Sequence, residues 1–318
     1  MDINNIPNLE DYNEQPQVTD GEFDSFNVDA HITDDKVLPL SEIAERDKDK
    51  GTDRFSTGFV DFDEVMEGGF KEGDLVVISG ISGEGKSSYG QTLTYNLCNK
   101  GIPTLWFSYE VSAKHLDKKF RKMGIDQFYH VYTPEKNTTG KLEWIKYKIK
   151  ESYLKYMTKV VIIDHIDFLT PTDIKNSDNE TIALKKITTE LKTLAIKLNM
   201  TIIIMAHLKK LPEGKEPDMQ DIGHSAGIFQ LADYVFMIWR EKEKRSFGSN
   251  KFKNSDGDLV TNKSVIKIVK NRETGQLKYI VCRYIDERFI KETKIEEPVE
   301  PFEEEYKKKE VKETWYNK

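Results

Sequence analysis

Cysteine is nearly absent: Cys98 and Cys282 are the only two in 318 residues, too few for a disulfide framework or a cysteine-based zinc site. Long apolar runs are missing as well. The longest, "VVII" and "TIIIMA", fall far short of the roughly 20 residues a helix needs to cross a bilayer. The opening "MDINNIPNLEDYNEQ" is acidic and polar, unlike a signal peptide. These absences point to a reduced, soluble, cytoplasmic protein with no membrane partner. An excess of positive charge is also lacking. The formal net charge is −7, which at first argues against nucleic acid. The distribution of that charge reverses the argument. Residues 1–50 carry 14 acidic and 4 basic side chains, and residues 292–318 carry 9 and 6, which leaves the stretch 51–291 at net +6. A mildly basic middle between acidic ends permits a nucleic-acid partner, although a solvated mixed-charge surface gives the same sum.

The chain shows no internal repeat. Residues 1–37 lack periodicity and are rich in Asp, Asn, Glu and Pro, the composition of a disordered tail. In "LPLSEIAERDKDK" (38–50), Leu40, Ile43 and Ala44 recur at helical spacing behind Ser41, which reads as an N-cap; residues 38–53 form a short linker segment. From Asp74 strand and helix alternate. Strand-like runs are "DLVVISG", "TLWFSY", "KVVIID", "TIIIMAHL", "DYVFMIWR", "SVIKIVKN" and "KYIVCRYID"; helical patterns fall at 86–100, 112–123, 141–157 and 179–198. Such alternation predicts an α/β domain over 54–291, a mostly parallel sheet flanked by helices, ending in strands without intervening helices and therefore in antiparallel hairpins. Residues 241–258, "EKEKRSFGSNKFKNSDGD", read as a long flexible insertion, and 292–318 as a charged C-terminal tail.

What the chain does have is "GISGEGKSS", residues 80–88, directly behind "DLVVIS". The spacing Gly80-x4-Gly85-Lys86-Ser87 is a phosphate-cradling P-loop pattern. Gly80, Ser82, Gly83, Glu84, Gly85, Lys86, Ser87 and Ser88 are thereby expected to surround the phosphates of ATP or another NTP or dNTP. Lys86 would reach the β- and γ-phosphates, and the Ser87 hydroxyl would sit on Mg²⁺. An ordinary glycine turn would need four fixed positions to coincide, which happens by chance in roughly one chain of this size in a hundred.

Further residues close the constellation. "KVVIIDHIDFL" ends a buried strand with Asp164, where a carboxylate can hold the Mg²⁺ shell opposite Ser87; many strands also end in Asp as a turn or cap, and Asp167 reads as a cap or as a residue standing behind the metal ligands. Glu110 lies just past "TLWFSY", where a carboxylate can align a water for attack, or merely begin a loop. His207 ends "TIIIMAH" and could hydrogen-bond the γ-phosphate, or be a satisfied structural histidine. Lys270 and Arg272 of "IVKNRETG" are two cations on one strand face, costly unless they meet solvent or an anion. Presentation of Arg272 to a neighbouring subunit's γ-phosphate would explain them; an exposed hairpin is the plainer alternative.

Taken in order, "STGFVDFDEVMEGGFKEGDLVVISGISGEGKSS", "FSYEVSAKHL", "VVIIDHIDFL", "ETIALKKITTELKTLAIKLNMTIIIMAHLKK", "DIGHSAGIFQLADYVFMIWRE" and "IKIVKNRETG" resemble the RecA-like ATPase domain of DnaB-type hexameric replicative helicases. The pattern is most similar to the helicase half of phage primase-helicases and to the mitochondrial Twinkle helicase. This resemblance implies a RecA-like P-loop NTPase core and NTP-driven unwinding in the replication of a phage or similar element. It implies as partners single-stranded DNA, further copies of the chain in a hexameric ring, and a primase or other replisome protein. By the same resemblance Lys86 and Ser87 bind phosphate and Mg²⁺, Glu110 is the catalytic carboxylate and Asp164 the Mg²⁺ acid. His207 becomes the γ-phosphate sensor, Arg272 the arginine finger with Lys270 beside it, and residues 209–227 the loop facing DNA. The family's Arg-Gly pair in that loop is replaced here by Gly223 and His224, and ahead of the core the sequence reads as an acidic tail and the 38–50 segment, with no primase-type or bacterial-type N-terminal domain expected there. A RecA/RadA-like recombination ATPase forming filaments on DNA, and a KaiC-like ATPase without nucleic acid, share much of the same motif set.

Overall fold

Runs of β-branched residues alternating with helices build one sheet of ten strands. The computed structural model describes residues 38–47, 53–124, 130–135, 142–170, 177–208, 216–218, 226–242, 252–253 and 259–292. The expected tails, 1–37 and all but Glu292 of 292–318, lie outside the described residues, as does most of the expected DNA-facing loop, including Gly223 and His224. Helix α1 (Leu40–Asp47) comes first. Ser41 does not cap it: the Pro39 carbonyl accepts from the N–H groups of Glu42 and Ile43, so the helix starts two residues earlier than a Ser41 cap would set it, and Ser41 lies in its first turn.

The core proper opens with a small antiparallel pair, β1 (Arg54–Phe55) and β2 (Phe70–Lys71), around α2 (Val60–Val65). Then β3 (Leu75–Gly80) leads into α3 (Lys86–Cys98), and β4 (Thr104–Ser108) into α4 (Ala113–Lys122), which Ser112 caps by accepting from His115 N–H. After β5 (Val131–Tyr132) and α5 (Leu142–Tyr156) come β6 (Val160–Asp164), a 3-10 turn over Ile166–Leu169, α6 (Ser177–Lys197) and β7 (Thr201–His207). The end consists of α7 (Ala226–Leu231), β8 (Tyr234–Lys242), β9 (Phe252–Lys253), β10 (Leu259–Asn271), β11 (Lys278–Ile285) and β12 (Arg288–Lys291).

Strand order is β12-β11-β10-β8-β3-β7-β6-β4-β5, with β9 paired to β10. From β8 to β5 neighbours run parallel; from β8 outward through β10, β11 and β12 they run antiparallel. The fold is thus the RecA-like α/β arrangement that the motif order implies, with its terminal hairpins. The stretch 241–258 is not wholly an irregular insertion. Glu241 and Lys242 prolong β8, and Phe252–Lys253 pair with Leu259 and Val260, because the ladder of β8 against β10 runs on beyond its bulge.

Central strands are buried on both faces, so their sequences read as continuous apolar runs rather than as alternations. In β3, Val76 and Ile78 pack with α2, α3, α4 and β12, whereas Leu75 and Val77 pack with α5, α6 and α7. The close approach of β8 to the end of β3 demands Gly80, because a Cβ there would lie 2.5 Å from the Ile238 carbonyl oxygen. Gly80→Ala must therefore push two paired strands apart. It should lower unfolding free energy by about 1–3 kcal/mol, the usual cost of overpacking, measured as a lower urea midpoint at unchanged slope.

Candidate functional site

Parallel strands place all their carboxyl ends on one edge, and four adjacent ones deliver the candidate residues. Register pairs Gly80 of β3 with His207 of β7, and Ser108 of β4 with Asp164 of β6. Glu110 follows Ser108 by two residues, and the loop into α3 follows Gly80.

Gly85 begins α3 with φ of +105°, a left-handed conformation that side chains disfavour, and a Cβ there would meet the Phe289 ring at 3.0 Å. Ser82 and Gly83 are exposed at the loop tip. Glu84 turns inward instead: it is buried, and its Oε2 accepts from the Arg240 backbone N–H at 2.6 Å, which ties the loop to β8. Its spacing in the motif held no sign of that anchoring role. Ser88 sits in the first turn of α3 beside Tyr284, whose hydroxyl it hydrogen-bonds.

Lys86 is 5% exposed, and its ammonium donates to the carbonyls of Gly80 (3.0 Å) and Ile81 (3.1 Å) and lies 3.0 Å from His207 Nδ1. Burial lowers its pKa to about 8, against the pull of Asp164 and Glu110. Asp164 accepts a hydrogen bond from the Ser87 hydroxyl; its other oxygen, Oδ2, is buried with no hydrogen-bond partner among the described residues. A buried carboxylate oxygen left unpaired beside a hydroxyl is the donor set a hard divalent cation takes.

Glu110 Oε1 lies 3.2 Å from His165 Nδ1 and 3.7 Å from His207 Nε2. The shorter approach is not aligned as a hydrogen bond. The two imidazoles meet edge to face at 4.2 Å, and His165 Nε2 is 3.4 Å from Asp167 Oδ2. Burial and the adjacent His207 lower His165 to about 4; burial and Lys86 lower His207. Both rings are therefore neutral at pH 7. Glu110, His165 and His207 converge closely enough to hold a metal ion, but the Lys86 ammonium argues against one. A lysine donating to Nδ1 of His207 puts that ring's proton on Nε2, which then faces Glu110 as a donor. His165, directly after Asp164, is the member that reading the sequence missed. Its only signal was its place at a strand end.

Lys270 and Arg272 lie elsewhere. Asn271 pairs with Tyr234, and Arg272 N–H bonds the Asp233 carbonyl, level with the start of β3. Five residue steps along β3, from Leu75 to Gly80, separate that level from the phosphate loop, about 16 Å at 3.3 Å per residue. Lys270 donates to the carbonyls of Phe229 (2.8 Å) and Gln230 (3.0 Å) at the end of α7.

The buried acid carries a pH signature. Burial raises Asp164 from 3.8 to about 6, so the folded state holds that proton more tightly than the unfolded chain. Its contribution to stability is complete below 3.8 and is lost as pH climbs through 6. Asp164→Asn removes the penalty while keeping an acceptor for Ser87. At pH 7.5 it should raise unfolding free energy by roughly 1–3 kcal/mol, and at pH 4 it should add little. Urea titrations showing equal gains at both values would rule out charge burial as the cause.

A probable replicative DNA helicase of Trieres chinensis is 26% identical over 227 residues, 61% of this chain and 49% of that protein. The DNA repair protein RadA of Streptococcus pyogenes is 30% identical over 215 residues, 65% of this chain and 45% of that protein. The chain thus spans about half the length of the curated relatives it matches. Among solved structures, a DnaB-like replicative helicase, described with its interactions with primase, superposes with a TM-score of 0.62 at 19% identity, over 81% of this chain and 67% of that one. The family described as DnaB-like helicase C terminal domain matches residues 55–127 and 127–290, most of the molecule. On that match, the chain belongs to the DnaB-like helicase C-terminal domain family.

Proposed function

We propose that the chain is the motor unit of a ring-forming replicative helicase, which couples hydrolysis of ATP or another NTP to movement along single-stranded DNA and to duplex unwinding. One observation carries this reading. Lys86, Ser87, Glu110, Asp164 and His207 gather at one edge of four adjacent strands, while Arg272 stands at the far end of β3, where it cannot serve the same chain's phosphates.

In this reading Lys86 exchanges the carbonyls of Gly80 and Ile81 for phosphate oxygens, which balance its buried charge better than neutral dipoles do. Ser87 and Asp164 would hold Mg²⁺, which when bound neutralises charge on the phosphates. Glu110 orients the attacking water and accepts its proton, with the Nε2–H of His207 turned towards the carboxylate. His207 touches both Lys86 and Glu110, so a change at the phosphate reaches the catalytic carboxylate through it. Arg272, with Lys270 beside it, supplies the missing positive charge to the site of an adjacent copy.

Residues 54–291 form the motor, and 209–227 lead into α7 as the DNA-facing segment. Residues 38–53 dock on a neighbouring copy: Leu40 of α1 is 82% exposed, an apolar side chain with nothing of its own chain to cover it among the described residues. Removal of 38–53 should accordingly weaken assembly in sedimentation. A primase or another replisome protein would join the acidic ends or the ring's outer surface.

The RadA likeness supports a second reading, a recombination ATPase forming helical filaments. Negative-stain imaging with and without single-stranded DNA separates the two, since closed rings fit only the first. Lys86→Ala should abolish hydrolysis and forked-duplex unwinding together. Glu110→Gln should keep nucleotide binding and lose on the order of 10²–10⁴ in turnover. Near-normal ATP turnover in either variant would remove that residue from the site, and hydrolysis without unwinding by the intact protein would exclude the helicase reading.

A further inference from the structure

The end of the sheet opposite the phosphate loop holds a charge cluster centred on Asp233, the residue before β8. Asp233 is 9% exposed, and both oxygens of its carboxylate are engaged. Oδ2 accepts from the Leu75 N–H at 2.8 Å and from the Lys192 ammonium on α6. Oδ1 accepts from Arg272 Nη1 at 3.2 Å. The backbone doubles these links, since Asp233 N–H donates to the Leu75 carbonyl and its own carbonyl accepts from Arg272 N–H. Arg272 Nη2 donates to the Gln230 carbonyl at 2.9 Å. Two bonds thus pin one side of a guanidinium that has five N–H donors, while its side chain stays 50% exposed.

We propose that Asp233 is the positioning residue for Arg272, holding the guanidinium in the orientation in which it meets the nucleotide of the adjacent copy. The proposal rests on the reading that Arg272 acts in trans. A carboxylate needed only to anchor β3 would use Oδ2 alone; here Oδ1 is given over to Arg272. Lys192 matters for the same reason. By sharing the carboxylate's charge it leaves more of the guanidinium's positive charge for a phosphate that meets it in the held orientation. An arginine released from this hold would spread over many rotamers, few of them reaching the phosphate. The loss would therefore fall on turnover rather than on nucleotide binding.

Asp233→Asn separates these roles. Leu75 N–H and Lys192 both donate to the Oδ2 position, so the amide oxygen must take it. The amide NH₂ is then left facing Arg272 Nη1, donor against donor. The strand anchor survives while the arginine hold is lost.

Purified assemblies of Asp233→Asn should keep nucleotide KM within about 2-fold. Their kcat should fall on the order of 10- to 100-fold, part of the roughly 10³–10⁵ an arginine finger contributes. Mixing experiments in rings shown to exchange subunits locate the defect. Asp233→Asn with Lys86→Ala should recover activity, because some interfaces then pair an intact phosphate loop with an intact finger. Asp233→Asn with Arg272→Ala should not, because both lack a working finger. Arg272→Ala with Lys86→Ala is the control. If the control pair stays inactive, the trans reading fails and this proposal falls with it. If the control recovers but Asp233→Asn is rescued by Arg272→Ala instead of by Lys86→Ala, Asp233 acts through β3 on its own phosphate loop, and the positioning role is overturned alone. Unchanged kcat in folded Asp233→Asn rings would overturn it as well. Should that variant not fold, Asp233→Glu, which keeps the charge but displaces it, is read in the same mixtures: a KM-neutral loss of kcat with the same rescue pattern supports the role, and wild-type kcat refutes it.

Discussion

A buried ammonium organises this molecule. Lys86 is almost wholly removed from water, and a charge in that position persists only with partners. Two of its partners are carbonyls of its own loop and the third is an imidazole on the neighbouring strand. Asp164 lies close enough to raise the lysine's proton affinity, yet is itself pushed up by burial. Both charges are undercompensated. Phosphate and a divalent cation are the two groups that would relieve them together, which is why the site reads as a nucleotide site on its chemistry alone.

Strand direction does the rest. Six neighbouring parallel strands send their carboxyl ends to one edge, and Glu110, His165 and His207 follow as strand-end residues. The antiparallel ladder of β10 against β8 carries Lys270 and Arg272 back to the opposite end, where they hold the last carbonyls of α7. Cations at a helix C-terminus are favoured there by its dipole. The topology therefore separates one positive group from the site it would serve by the length of a strand, a separation that a second copy of the chain can bridge and a single copy cannot.

Much of this was legible in the sequence because the signals were local and strong. Continuous apolar runs marked β3, β6 and β7, and the glycine spacing marked the loop before α3. Reading failed where structure came from distant contacts. Strands of two residues such as β1, β2 and β5 carry no period, and exist because partners elsewhere supply their hydrogen bonds. The stretch after β8 looked like a polar insertion, yet part of it forms strand by pairing with β10. Ser41 seemed a natural cap, but Pro39 takes that place. His165 escaped for a similar reason, and so did the anchoring contact of Glu84, which the motif spacing assigns to the phosphates. Their importance lies in which strand end or backbone N–H they meet, a property of the sheet order and not of neighbours in the chain.

The central claim is that hydrolysis requires a site completed by two copies. Specific ATPase activity measured against protein concentration, with sedimentation velocity on the same samples, tests it most directly. Activity per subunit should be near zero where the chain sediments as a monomer, and should climb to a plateau as closed assemblies form. A monomer that hydrolyses ATP at the plateau rate would show that Lys86, Glu110, Asp164 and His207 are sufficient by themselves, and would contradict the role given to Arg272.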